Sequence, residues 1–265
     1  MKYLQTLATW VLAILWSLPL LYAFWAAFHL ESSATHFSLS APLTLNNFKI
    51  ALSQAPFFRY MFNTMIMVTM ILGVQLVLCT LAAYAFAKFD FYGKNVAFFL
   101  VLLQLMIVPE ILIMKNYQTL ADLGLTDTIL GIGLPYMASA FGIFLLRQTF
   151  KTIPKELDDA AKIEGCSQMC ILWRIYIPLS KPTYLAYALV SISYHWNNFL
   201  WPLVVSNSQT VRPLTVGLAI FAAPESGVEW PILSAATLLS VAPLLLAFLL
   251  FQRQFVESFL HTGIK

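Results

Sequence analysis

Apolar residues are gathered along this chain into long runs, and short polar segments separate these runs. A helix needs about 20 consecutive apolar residues to cross the hydrocarbon core of a membrane, and six runs approach or exceed that length. They cover residues 7–29, 62–87, 96–114, 128–148, 183–205 and 231–252. The pattern predicts an all-α integral membrane protein with six transmembrane helices, in which residues 1–265 form a single domain.

Composition supports a membrane protein and argues against a soluble one. The chain is 60% apolar and only 10% charged, whereas a soluble domain typically carries about 25% charged residues. The net charge of +3 arises without a basic run, so no nucleic-acid partner is expected. No histidine lies close in sequence to Cys166 and Cys170, and Cys79 falls within an apolar run. We therefore expect reduced cysteines, no metal site and no cofactor.

The distribution of positive charge predicts the orientation in the membrane. With both termini on the cytoplasmic side, eleven of the 15 lysine and arginine residues lie inside. The four on the outer side are Lys49, Arg59, Lys115 and Arg212. Because cytoplasmic loops carry an excess of positive residues, this orientation is favoured, and the segment between the fourth and fifth runs is then cytoplasmic.

That segment, residues 154–178, is called the polar loop here. Pro154 suits the start of a helix, and Glu156, Asp158 and Asp159 suit the positive end of its dipole. An apolar side of this helix is expected from Leu157, Ala160, Ala161 and Ile163. The polar loop is too small to fold alone, so it must rest on its own membrane domain or dock into a partner.

Three further residues predict how the polar loop is divided. Gly165 is expected to end the first helix in a left-handed conformation. Ser167 is a favourable N-cap for a second helix, and Pro178 is expected to prevent that helix from continuing. The sequence thus predicts two short helices joined at a glycine.

The polar loop resembles the EAA loop of bacterial ABC importer permeases. That pattern has E-A-A, three residues, G, nine residues, I, one residue and L-P. The matching positions are Asp159-Ala160-Ala161, Gly165, Ile175 and Ile177-Pro178. Asp159 replaces the usual glutamate and Ile177 replaces the usual leucine, and both departures are chemically mild.

Other stretches extend the resemblance over roughly residues 60–265. They are RYMFNT at 59–64, LGLTDT at 123–128, LRQTF at 146–150, HWNNFLWPL at 195–203 and the tail FQRQFVESFLHTGIK. Taken in order, these stretches are similar to the smaller permease subunit of carbohydrate-uptake systems, such as the maltose and glycerol-3-phosphate permeases.

The resemblance implies that the polar loop is a coupling helix that docks on a separate ATPase. The residues assigned to this contact are Glu156, Asp159, Ala160, Ala161, Gly165, Ile175 and Pro178. No Walker A or other phosphate-binding motif occurs in the chain, so the chain is expected to be non-catalytic. The implied partners are a second homologous permease, a dimer of ATP-binding subunits, an extracytoplasmic solute-binding protein and the lipid of a bacterial cytoplasmic (inner) membrane.

Polar residues within the apolar runs are the candidates for a solute path. Polar groups are costly when they face lipid, so they usually face the helix bundle or a water-filled path. Ser193, Asn197 and Leu200 or Trp201 are expected on one helical face. Helix-to-helix hydrogen bonding is an alternative role for these side chains. The candidates are Asn63, Glu110, Ser193, Tyr194, Trp196, Asn197 and Asn198.

The solute and two other classes of protein remain open at this point. No lysine or arginine lies deep in any run, which favours a neutral sugar or polyol, although a partner could supply charge for glycerol phosphate. The segment DDAAKIEG distantly resembles phospholipid-head-group transferases, but Lys162 stands where they need arginine and later aspartates are absent. An ion-driven transporter would need repeats and paired ionisable groups, and neither is visible.

Overall fold

The computed structural model describes residues 2–34, 41–222 and 227–263, and it is helical across those ranges. The α-helices are α1 Lys2–Ala27, α2 Glu31–Ala34, α3 Asn46–Gln54, α4 Phe57–Lys88, α5 Lys94–Leu103, α6 Ile113–Asp122, α7 Ile129–Gly133, α8 Ala140–Thr152, α9 Lys155–Ile163, α10 Gln168–Ile171, α11 Ile177–Leu179, α12 Lys181–Trp196, α13 Leu200–Val205, α14 Leu214–Leu218 and α15 Trp230–Gly263. Short 3₁₀ turns cover Gln104–Met106, Pro109–Leu112, Leu134–Tyr136 and Ala219–Ala222, and a π-helical turn covers Leu172–Tyr176.

Three of the helices in the described ranges are long and apolar enough to cross a membrane. They are Gln5–Ala27 within α1, Phe57–Lys88 and Trp230–Leu250 within α15. Two bent pairs raise the number to five if each pair is one span. These are Lys94–Met106 with Pro109–Asp122, bent by 91°, and Ile129–Tyr136 with Ala140–Thr152, bent by 49°.

The predicted fifth span at 183–205 differs from the other predicted spans. Helix α12 has 16 residues and ends at Trp196, and α13 begins only at Leu200. The expectation that Ser193, Asn197 and Trp201 share one helical face is therefore wrong, because the helix ends between Ser193 and Trp201. The all-helical membrane fold is confirmed with three to five spans, and a count of six stays a prediction.

The two bends have local causes. Val108 is extended, with φ −71° and ψ 122°, as expected for a residue that precedes proline. Ser139 is also extended, and its hydroxyl accepts a hydrogen bond from the Gly142 N–H at 3.1 Å, so it begins a new helix. The Gln104 side chain joins the two breaks by accepting the Ala140 N–H at 3.0 Å.

The described residues of Met1–Phe62 and Arg212–Leu246 form one compact unit. Within it, the Asn47 side-chain amide donates to the carbonyls of Ala27 and His29 at 2.9 and 2.8 Å. The bond to Ala27 satisfies a carbonyl that the end of α1 leaves without a partner in the helix, and the bond to His29 holds the segment that follows. Helix α14 lies close to Tyr60, because a Cβ atom at Gly217 would overlap the Tyr60 ring.

The described residues of Asn63–Val211 and Ala247–Lys265 form the second unit. Its core joins α4 and α8 to the polar loop. Within that core, Gly142 allows close approach, because a Cβ atom there would lie 2.8 Å from the Cys79 sulfur. The other buried members are Ala83, Tyr84, Leu146, Phe150, Ile153, Ala161, Ile171, Leu172 and Tyr176.

Gly131 is required at the start of α7, within the same unit. An alanine methyl group there would overlap the carbonyl oxygen of Leu125, which is held by the Thr128 hydroxyl at 2.7 Å. We expect Gly131→Ala to lower the free energy of unfolding by about 1–3 kcal/mol. Gly73→Ala in α4 meets open space and should be neutral or stabilising. Thermal denaturation in detergent compares the two variants, and equal midpoints would contradict this account.

Candidate functional site

The first helix of the polar loop ends in a Schellman motif. Helix α9 follows Pro154 and carries Glu156 and Asp158 in its first turn. Gly165 has φ +80°, as predicted, and its N–H donates to Lys162 O at 2.9 Å, while the Cys166 N–H donates to Ala161 O at 2.9 Å. Both bonds satisfy carbonyls at the helix end. The space around Gly165 is open, so the requirement for glycine is its backbone angle.

The second helix of the polar loop starts as predicted but does not stop at Pro178. The Ser167 hydroxyl caps α10 by accepting the Cys170 N–H at 3.3 Å. The chain then passes through the π-helical turn Leu172–Tyr176 into α11, where Pro178 occupies the first turn. The prediction that Pro178 ends the helix is wrong, because a first-turn proline needs no intrahelical donor.

Asp158 lies at the base of the polar loop in a buried network. Both of its carboxylate oxygens accept hydrogen bonds from the Tyr176 hydroxyl, at 2.7 and 2.9 Å. The Lys88 ammonium group lies 3.1 Å from the carboxylate, and both charged side chains are only 12% exposed. Lys88 also lies 4.6 Å from the centre of the Tyr176 ring. The network connects the polar loop to the last residue of α4.

The environment keeps Tyr176 in the form that this network needs. Burial raises the pKa of the Tyr176 hydroxyl, and the neighbouring Asp158 carboxylate raises that pKa further. The hydroxyl therefore stays protonated and donates. The sequence reasoning missed Asp158 as a functional residue. The available signal was its position three residues before Ala161, which places the two side chains on one helical face, and both are buried.

Four large apolar side chains of the polar loop are exposed. Ile163 is 88% exposed and Trp173 is 66% exposed, and Leu157 and Met169 are also exposed. These four residues are called the exposed apolar set. Of the four residues expected on the apolar side of α9, only Ala161 is buried, and Leu157, Ala160 and Ile163 are exposed.

The residues assigned to ATPase contact divide between surface and core. Glu156, Asp159, Ala160, Gly165 and Pro178 are exposed. Asp159 pairs with Lys162 at 3.4 Å on the surface. Ala161 is buried and Ile175 packs partly buried against the core, so these two residues support the loop from beneath.

Two neighbouring cavities lie at the helix breaks of the second unit. Their volumes are about 140 and 390 Å³. They share five lining residues, namely Gln104, Ile107, Pro109, Pro135 and Tyr136. Irregular backbone at membrane depth is tolerated where it is buried in protein or lines a cavity, and residues of both breaks line these two cavities.

Gln75 organises the wall of the larger cavity. Its amide nitrogen donates to the Tyr136 carbonyl at 2.6 Å and lies 3.3 Å from His195 Nε2. Its amide oxygen accepts from Tyr187 at 2.8 Å and from Ser191 at 2.6 Å. His195 Nε2 is then the acceptor, which puts the imidazole proton on Nδ1. In the described part of the chain, that buried Nδ1 has no hydrogen-bond partner.

The structure brings only some of the candidate path residues to these cavities. Glu110 and Asn198 line the smaller cavity and Tyr194 lines the larger one. Ser193, Trp196 and Asn197 line neither, and the Asn197 amide instead donates to Ser193 O at 2.8 Å.

Asn63 lies away from both cavities. It is 1% exposed and its amide donates to Thr210 O at 2.9 Å. The cavity-lining residues outside the candidate set include Gln75, Gln104, Ser191 and His195, and their polar character within apolar runs was the available signal. Among the described residues, no group of three His, Cys, Asp or Glu side chains could hold a metal ion.

A helical membrane chain with broken spans, cavities at the breaks and an anchored polar loop has the architecture of a membrane transport subunit. The chain belongs to the family described as "Binding-protein-dependent transport system inner membrane component", whose model matches residues 50–260. It is therefore a permease of an ABC import system, and the lipid-modifying enzyme and ion-driven transporter interpretations are not supported.

Similar proteins include two transport permeases with different named solutes. The arabinooligosaccharides transport system permease protein AraQ of Halalkalibacterium halodurans is 36% identical over 224 residues, which cover 84% of this chain and 80% of the relative. The sn-glycerol-3-phosphate transport system permease protein UgpE of Yersinia enterocolitica is 34% identical over 207 residues, covering 78% and 74%.

Solved structures support the fold. A chain of a bacterial ABC transporter involved in the import of the acidic polysaccharide alginate matches with a TM-score of 0.85 and 21% identity, over 96% of each chain. A second structure, of a bacterial alginate ABC transporter in complex with an alginate pentasaccharide-bound periplasmic protein, matches with a TM-score of 0.66 and 15% identity, over 96% of each chain.

Proposed function

We propose that this chain forms half of the translocation path of a solute importer in a bacterial cytoplasmic (inner) membrane. It would cross the membrane six times with both termini in the cytoplasm, as the excess of inner positive charge indicates. A second homologous permease would complete the path, and an extracytoplasmic solute-binding protein would deliver the solute. The binding-protein-dependent family and the periplasmic protein named in one similar structure support these partners.

The polar loop would receive the force of ATP hydrolysis from a separate subunit. The observation that carries this proposal is the division of the loop into a buried base and an exposed apolar surface. Asp158 and Tyr176 hold the base on α4, while Ile163 and Trp173 project large apolar side chains on a charged segment. Exposed apolar groups of this kind mark a protein contact, and a cytoplasmic ATPase is the partner that we propose for it.

The solute would be polyhydroxylated and predominantly neutral. The lining of the two cavities offers amides, tyrosines, serines and a histidine, with Glu110 as a carboxylate and no lysine or arginine. Amides and aromatic rings suit a sugar or polyol through hydrogen bonds and stacking. The relatives named for arabinooligosaccharides support a sugar more directly than those named for sn-glycerol-3-phosphate, whose phosphate would need charge from another subunit.

Docking through the exposed apolar set is tested by Ile163→Asp. A carboxylate there would have to be desolvated in the contact. We therefore expect at least tenfold less ATP-binding subunit to co-purify with the tagged variant than with the wild type in mild detergent. Tyr92→Asp is the matched control, because Tyr92 is a fully exposed aromatic residue on the connection before α5. Thermal denaturation of both variants monitors folding. Equal retention of the ATP-binding subunit by Ile163→Asp and Tyr92→Asp would refute docking at this surface.

A further inference from the structure

Two thiols meet at the corner of the polar loop. The Cys170 and Cys166 sulfur atoms are 2.8 Å apart, and both side chains are partly exposed. Both cysteines are free, as is Cys79, which is fully buried. The chain therefore carries one accessible thiol pair and one internal thiol for comparison.

The backbone determines the proximity of the pair. The Cys166 N–H completes the Schellman motif of α9 by donating to Ala161 O at 2.9 Å. The Cys170 N–H donates to the Ser167 side chain, which caps α10, at 3.3 Å. Cys166 thus lies within the corner formed by Gly165 and Ser167, Cys170 lies in the first turn of α10, and each is positioned by a separate capping motif. Free rotation of either side chain is not needed to bring the sulfurs together.

We propose that Cys166 and Cys170 form a reversible oxidation site for peroxides. One thiolate attacks the peroxide oxygen, giving a sulfenic acid and, after protonation of the leaving oxygen, one water. The second thiol attacks that sulfenic sulfur, forms the S–S bond and releases a second water. For hydrogen peroxide the sum is two thiols plus one peroxide to one disulfide plus two waters. The sulfurs need to approach by only roughly 0.8 Å to reach the usual S–S bond length of about 2.05 Å.

The disulfide would affect the docking surface, and this consequence rests on the proposed coupling function. The bond ties the first turn of α10 to the end of α9. That turn carries Met169, which is exposed, and Trp173 follows in the next turn. Closing the bond pulls the first turn towards the corner and prevents the corner from adjusting to a partner. Oxidation would then weaken the hold of the ATP-binding subunit, and a thiol reductant would restore it.

The chemistry can be tested without any transport assay. Trypsin cleavage after Lys162 and Arg174 releases both cysteines in one peptide. After hydrogen peroxide treatment of the purified complex, we expect this peptide to lose two hydrogens, to resist maleimide labelling and to recover with reductant. Oxidation of Met169 adds oxygen instead, so mass distinguishes the two. Independent oxidation of the two sulfurs without loss of two hydrogens would overturn the proposal, and the same peptide from Cys170→Ser should not lose two hydrogens, because no second thiol is present to form the bond.

The effect of oxidation on docking is measured separately from disulfide formation. Peroxide should lower the amount of ATP-binding subunit that co-purifies with the tagged wild-type chain several-fold, and reductant should restore it. The amount that co-purifies with Cys170→Ser should not change. A disulfide that forms without release would overturn the regulatory consequence while leaving the oxidation site. Failure of the reduced wild type to retain any ATP-binding subunit would count against the proposed function, and the peptide result would stand independently.

Discussion

Asp158→Ala will destabilise the protein and, on the proposed function, weaken its hold on an ATP-binding subunit. The substitution leaves the Lys88 ammonium group buried without its carboxylate and removes the acceptor of the Tyr176 hydroxyl. Loss of one member of a buried ion pair costs about 3–5 kcal/mol. The base of the polar loop would then separate from α4, and the exposed apolar set would lose its fixed position. Thermal denaturation and retention of the ATP-binding subunit measure the two effects.

The neighbouring carboxylate provides the control for Asp158. Asp159 is 70% exposed at its side chain and pairs with Lys162 on the surface, where such pairs contribute at most about 1 kcal/mol. Asp159→Ala should therefore leave the thermal midpoint nearly unchanged. The pair Lys88→Met with Asp158→Leu should recover most of the stability, because it removes both buried charges together. If Asp158→Ala and Asp159→Ala lower the thermal midpoint by similar amounts, the buried ion pair does not support the loop.

Gln75→Leu will have the second largest effect, within the membrane. Leucine has nearly the volume of glutamine but offers no hydrogen bond, so Tyr187, Ser191 and the Tyr136 carbonyl each lose a partner. Each buried polar group left unpaired costs about 1–3 kcal/mol. We expect a clear fall in the thermal midpoint, together with weaker solute-stimulated ATPase activity in the reconstituted complex.

The control for Gln75 lies on the same helix. Thr69 is exposed on α4, so Thr69→Leu should change neither the thermal midpoint nor the ATPase activity. If Gln75→Leu is as stable as Thr69→Leu, the four hydrogen bonds of Gln75 contribute no net stability. If it is unstable yet fully responsive to solute, the network serves packing alone and the larger cavity is not the solute path.

Local signals in the sequence predicted the local structure well. The left-handed conformation of Gly165 and the capping role of Ser167 are both confirmed. Each depends only on residues within one helical turn, which the sequence shows directly. Pro178 was mispredicted because the effect of a proline depends on where the next helix begins. Its position in the first turn of α11 follows from the π-helical turn before it, which has no signature in apolar spacing.

The residues at the base of the loop and in the cavity wall required tertiary information. Asp158 forms an ion pair with Lys88, seventy positions earlier in the chain. Gln75 forms a hydrogen bond with His195, one hundred and twenty positions later. A sequence shows that such polar groups stand in apolar surroundings, but not which of them meet. For the same reason the amide cluster after Ser193 could be identified as polar, whereas the helix break within it and its division between the cavities and local hydrogen bonds could not.

Helix α4 runs without a break from Phe57 to Lys88, and two of its polar attachments, at Gln75 and at Lys88, lie thirteen residues apart. At 1.5 Å per residue, Lys88 and Gln75 are separated by about 20 Å along the axis. A tilt or axial shift imposed on Lys88 through Asp158 must therefore displace Gln75 and the cavity wall that it organises, because a continuous helix resists compression between them. The helix itself would then transfer movement from the polar loop to the cavity wall, without a chain of rearranging side chains between them.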